Sequence, residues 1–203
     1  MSILQDNAMI ILNGLAERFN GHTGLWVHAK NKSKIENWLQ VELCSILKPL
    51  CYDNEEIEIL TDKQHNSLNG NNIDILIKYN NPLCVEVLEL KIIVIGQSTS
   101  DGIKSLLEDY ARICLLPGTF VFDNSPATLA GKGVLFLFFP SGDLGGNRAL
   151  EGVNGYFEDV EGGVGDLQGL GEYDPEGGLW FSVGLNFTGG EPNISGKIYL
   201  KLA

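Results

Sequence analysis

Two short runs carry the residues most able to do chemistry. One reads Asn-Asn-Ile-Asp-Ile-Leu-Ile-Lys and holds Asp74, and the next reads Leu-Cys-Val-Glu-Val-Leu-Glu-Leu-Lys-Ile-Ile-Val-Ile and holds Glu89-Leu90-Lys91. Side chains alternate faces along a strand, so Glu89 and Lys91 point the same way. Ionisable groups inside an apolar run are costly unless they are paired or used. A hairpin between the two runs would carry Asp74 alongside Glu89. Two adjacent carboxylates repel unless a cation lies between them, and hard divalent cations such as Mg²⁺ take oxygen ligands of this kind.

The spacing resembles the core of the PD-(D/E)xK nuclease superfamily, the restriction-endonuclease-like proteins. Their pattern is an Asp at the start of one strand and Glu-x-Lys in the next, matched here by Asp74 and Glu89-Leu90-Lys91. The likeness spans residues 33–140. It departs at Ile73, where that superfamily often has proline. The resemblance implies a divalent metal, Mg²⁺ or Mn²⁺, held by Asp74, Glu89 and the Leu90 main-chain carbonyl. It implies that Lys91 orients or helps deprotonate the attacking water and offsets charge on the phosphorane. It also implies an acidic residue on the helix before the first core strand, and Glu42 is the candidate. Glu36 is better explained as the reciprocal member of a capping box with Ser33. Glu86 faces away from Glu89 on an ideal strand and reads as structural. The plainer alternative for the set is an ion-paired surface, with Asp74 capping a turn and Glu89 pairing with Lys91.

These residues need elements to hold them. Residues 3–20 have a near-helical apolar period, ending at Asn20-Gly21-His22. A second helix is expected from about Lys34 to about Leu47. Its apolar face is Ile35, Trp38, Leu39, Leu43, Ile46 and Leu47, with Glu42 inside it. Glu56–Leu60, Ile73–Tyr79 and Leu83–Ile95 read as strands, and Asn80-Asn81-Pro82 as a tight connection. A third helix begins around Ser98–Asp101 and ends near Pro117-Gly118. Phe120–Phe122 reads as a short extended piece and Gly133–Pro140 as a central strand. Helix, three strands, helix, strand implies an α/β fold with a mixed sheet flanked by helices.

Beyond Pro140 the composition changes. Most of the 25 glycines lie there, and Asp143 to Glu191 holds ten acidic residues against one basic residue, Arg148. Leu179–Phe187 and Ile198–Leu202 alternate with period two, which suggests a hairpin, and Gly152–Val160 reads as another strand. Two units follow: residues 1–140 as the core with its N-terminal helix, and residues 141–203 as an acidic, glycine-rich β extension packed on it.

The chain has 203 residues and a net charge of −12, unlike the basic footprint of a non-specific nucleic-acid binder. Residues 1–142 hold eleven basic against sixteen acidic, so much of the acidity belongs to the C-terminal segment. Cys44, Cys51, Cys84 and Cys114 lack zinc spacing and suit a reducing cytoplasm. His22, His28 and His65 lack ligand spacing. The N-terminus lacks the pattern of a secretory signal, and no run is long enough to span a membrane. Lys30, Lys32, Lys34, Lys104 and Arg112 read as solvated charges that could also touch phosphates.

The function expected is metal-dependent cleavage of DNA. The alternative is a catalytically inactive interaction or regulatory protein on the same fold. A protein partner and a homodimer stay open, and a carbohydrate- or ion-binding β module at 141–203 rests on composition alone.

Overall fold

A computed structural model describes residues 2–21, 32–51, 56–64, 72–95, 99–122, 125–140, 180–187 and 194–203. Helices α1 (Ile3–Asp6), α2 (Ala8–Gly21) and α3 (Lys32–Leu50) are followed by strands β1 (Ile57–Gln64), β2 (Asn72–Asn80) and β3 (Leu83–Ile95). Helix α4 (Thr99–Cys114) precedes β4 (Thr119–Phe122), β5 (Ser125–Pro140), β6 (Trp180–Phe187) and β7 (Ile194–Leu202). The strands form one sheet in the order β1-β2-β3-β5-β7-β6, with β4 pairing the start of β5. Only β3 and β5 run parallel, so the sheet is mixed.

Helices cover both faces. On one, α2 buries Ile11, Leu12, Leu15 and Phe19, and α3 buries Ile35, Leu39, Leu43 and Leu47. The four-residue steps in α3 put one stripe on the sheet. The stripe meets Ile75, Ile77, Leu88, Leu90, Ile92, Leu135 and Leu137. On the other face, α4 buries Leu106, Tyr110 and Ile113 against Ile93, Phe136, Phe138, Tyr199, Leu76 and Val87. Burial of each such side chain contributes about 1.5–3 kcal/mol. Among the described residues no helix is long and apolar enough to cross a membrane. All four cysteines are free.

Several boundaries differ from expectation. The first helix is broken at Asn7, whose N–H and side-chain Nδ2 both donate to the Ile3 carbonyl. Helix α3 starts at Lys32, so Ser33 lies inside the first turn rather than at its cap. Strand β1 runs past Leu60 to Gln64 because its polar end is an edge paired with β2. Strand β5 begins eight residues before Gly133, since Ser125–Thr128 pairs with β4. The C-terminal strands continue the sheet: β7 pairs with β5 over Gly133–Phe138, and β6 pairs with β7. Gly133 is required there, because an added Cβ would lie 2.5 Å from the Lys201 carbonyl oxygen. The strand expected at Gly152–Val160 lies outside the described residues, as do all three histidines and most of the acidic segment.

Candidate functional site

Strands β2 and β3 form an antiparallel hairpin closed by the cis Asn81–Pro82 turn. Their pairing runs from Asn80↔Leu83 to Ile75↔Leu88. The next step in that register sets Asp74 opposite Glu89, and there the ladder changes character. Asp74 Oδ2 accepts the Leu90 N–H at 2.7 Å, so a carboxylate takes a main-chain donor of the neighbouring strand. Alternation fixes the face. Ile75 and Leu88 point to the α2–α3 core, whereas Ile73, Leu76 and Val87 point to the α4 side; Glu89 follows Val87 to that side, and the Asp74 side chain reaches it.

Glu89 is only 5% exposed. Burial, and after it the Asp74 carboxylate, push its pKa up to about 9 despite the opposing pull of Arg112. The Asp74 side chain is within hydrogen-bonding reach of Glu89 and helps to hold the Glu89 carboxyl group protonated. Two residues along, Lys91 points to the same side, as the alternation requires. Its Nζ lies 2.7 Å from Asp109 Oδ2 on α4. Arg112, one turn further along α4, places a terminal nitrogen 3.0 Å from Glu89 Oε1 and 3.2 Å from Asp109 Oδ1. The result is a linked set of charges: Asp74, Glu89, Arg112, Asp109, Lys91.

The set could hold a divalent cation through Asp74 and Glu89. The fit has a structural sign: Glu89 Oε1 is buried and accepts no hydrogen bond among the described residues. No group of three or more His, Cys, Asp or Glu side chains is arranged for a metal among them. A site here therefore rests on two carboxylates, completed by main-chain oxygen and water, an arrangement Mg²⁺ accepts. Leu90 contributes its N–H to Asp74, while its side chain is buried in the helix-side core.

Glu42 is not brought to this cluster. It ion-pairs with Arg18 of α2 and ties the two helices together on the opposite face of the sheet. The α3 residue that reaches Asp74 is Gln40, whose Nε2 donates to the Asp74 carbonyl at 2.9 Å and to Asp62 Oδ1 at 3.4 Å. Two residues on, the helix has turned by about 200°, which carries Glu42 away. Asp62 lies across from Asp74 on β1 with φ of 51°, a left-handed conformation that Asp tolerates better than most residues. Glu36 is partly buried on α3.

Glu86 faces the other way, as the strand geometry requires, and is fully buried. Oε1 accepts the Ile3 N–H at 2.8 Å, and Oε2 accepts the Leu4 N–H at 2.9 Å and the Ser2 hydroxyl at 3.1 Å. The Tyr79 hydroxyl also donates to Oε1. The carboxylate thus caps the free N–H groups of α1 from the middle of the sheet. Gly131 makes the room: a Cβ there would lie 3.3 Å from Glu86 Cγ.

Asp109, Gln40 and Asp62 escaped the reading of the sequence, and Arg112 was read only as a solvated charge that could touch phosphates. They come from other elements, and no spacing relates them to Asp74 or Glu89. Only the i,i+3 step from Asp109 to Arg112 was available as a signal. No protein-family model, no curated protein and no solved structure matches the chain.

Proposed function

We propose that the chain is a metal-dependent nuclease on a restriction-endonuclease-like fold, cleaving DNA phosphodiester bonds at Asp74, Glu89 and Lys91. The observation that carries the reading is the meeting of Asp74 and Glu89 across the β2–β3 hairpin, with Lys91 on the same side. The order α3-β1-β2-β3-α4-β4-β5, with β3 parallel to β5, supports the reading because helix, strands, helix, strand resembles the order of such a core.

Asp74 and Glu89 would hold Mg²⁺ or Mn²⁺, with the Leu90 carbonyl as a further ligand. Such a cation supplies Lewis-acid polarisation of the scissile phosphate. Glu89 releases its proton on binding it, since a ligating carboxylate must be ionised. Lys91 holds the attacking water by hydrogen bonding and offsets negative charge at the phosphorus as it grows. For both roles its ammonium must leave Asp109.

The test is Mg²⁺- or Mn²⁺-dependent cleavage of labelled duplex, single-stranded and branched DNA. Wild type should cut at least one of them, whereas Asp74→Asn and Lys91→Ala should lose about 10²-fold or more in rate. A second reading is a catalytically inactive interaction protein on the same fold. It is favoured by the ion pairs that already engage Lys91 and Glu89 with α4. Absence of metal-dependent cleavage of any of these substrates would leave that reading standing.

A further inference from the structure

We propose that Arg112 is a built-in counter-cation of the Asp74–Glu89 pair, which a divalent cation must displace before the site is loaded. The inference rests on the metal-site reading above and adds a regulatory contact to it.

The Arg112–Glu89 contact has the charge of a salt bridge without its best geometry. A guanidinium suited to a carboxylate makes two parallel N–H···O bonds. Here a terminal nitrogen of Arg112 serves two carboxylates, Glu89 at 3.0 Å and Asp109 at 3.2 Å. Arg112 Nε is buried and makes no hydrogen bond among the described residues, and Glu89 Oε1 accepts none. The contact therefore compensates charge with little directional bonding. A divalent cation compensates the same charge more strongly and needs no aligned donor.

Arg112 also has somewhere to go. Its side chain is 28% exposed, and Asp109, one turn back on α4, remains as its partner when Glu89 is taken. The two cations compete, because the guanidinium 3.0 Å from Glu89 Oε1 already compensates the charge that a ligated ion would take up. Helix α4 thus sets a threshold: the site loads only at cation concentrations that can compete with Arg112.

The experiment is calorimetric titration of Mn²⁺ into wild type, Arg112→Gln, Asp74→Asn and the double variant. Arg112→Gln removes the charge and keeps much of the bulk, so it should bind Mn²⁺ about ten-fold or more tightly than wild type. Asp74→Asn should lose that binding in both backgrounds. Equal or weaker affinity in Arg112→Gln, with binding still dependent on Asp74, overturns the counter-cation and leaves the metal site intact. Binding that ignores Asp74, or no binding by any form, overturns the metal site and the inference with it. A second measurement needs no variant of Arg112. In the wild type, the Arg112 Nε–H resonance should move on saturation with Mg²⁺, and an unmoved resonance with Mg²⁺ bound at Asp74 also overturns the proposal.

Discussion

Glu89 is the residue on which most of the account turns. It sits in a nearly dry position beside another carboxylate, and Arg112 repays only part of the cost of ionising it. Its folded pKa of about 9 lies far above the ordinary carboxylate value of 4.5. Between those two values the folded, metal-free protein holds a proton that the unfolded chain has released. Stability must therefore fall as pH rises through that window. We predict that chelator-treated protein loses up to about 5 kcal/mol between pH 5 and pH 9 through this group. Denaturant melts at three pH values read the slope, and Glu89→Gln should flatten it. An equally steep decline in Glu89→Gln would assign the effect to another group. Asp74, Glu89 and Lys91 were legible in the sequence because they share one hairpin, where alternation and a short connection fix who faces whom. The place of Glu42, paired with Arg18 and apart from Asp74, was not legible, because a helical face says which residues are buried, not which strand they meet.

At the scale of elements, Glu86 is what fastens the N-terminal helices to the sheet. Each of its oxygens accepts two donors, and three of the four are the Ser2 hydroxyl and the Ile3 and Leu4 N–H groups. In Glu86→Gln the amide nitrogen must face one of those donor pairs whichever way the amide is turned. The cost should be about 2–3 kcal/mol, since in one orientation the Leu4 N–H loses its acceptor and in the other the Ile3 N–H keeps only the Tyr79 hydroxyl. Tyr79→Phe removes one donor to Glu86 and the second acceptor of the Ile3 N–H, which keeps Glu86, and should cost about 1 kcal/mol. Urea melts of the two variants give the comparison, and equal losses would contradict the capping role. Elements with one clear period were legible: β2 and β3 from their apolar runs, α4 from Leu106, Leu107, Tyr110 and Cys114, although the buried Ile113 was not read from that period. The first half of β5 was not, because Pro126 and Gly131 are residues that strands avoid. Its partners, β3 and β4, supply the hydrogen bonds that override that preference.

For the whole molecule, charge is the main constraint on a DNA substrate. The net charge is −12, and ten of the acidic residues fall between Asp143 and Glu191. Such a segment repels a phosphate backbone wherever it faces one. Changing Glu158, Asp159, Glu161 and Asp166 to Asn or Gln should raise DNA affinity at low salt, with a gain that shrinks as salt rises. Binding isotherms at two ionic strengths test this, and unchanged affinity at low salt would mean that the segment does not limit access. The mixed sheet with helices on both faces was legible from the order of the periodic segments. The joining of β7 to β5 was not, because no local pattern names the strand a C-terminal hairpin will pair with.

The proposed function requires Asp74 and Glu89 to hold a divalent cation beside Lys91. The most direct measurement is an anomalous difference map from crystals of the protein grown with Mn²⁺. The account predicts a manganese peak bonded to a carboxylate oxygen of Asp74 and one of Glu89, with Arg112 withdrawn to Asp109. A map with no peak at these carboxylates and Arg112 still against Glu89, at manganese concentrations well above those used for nucleases, would contradict it.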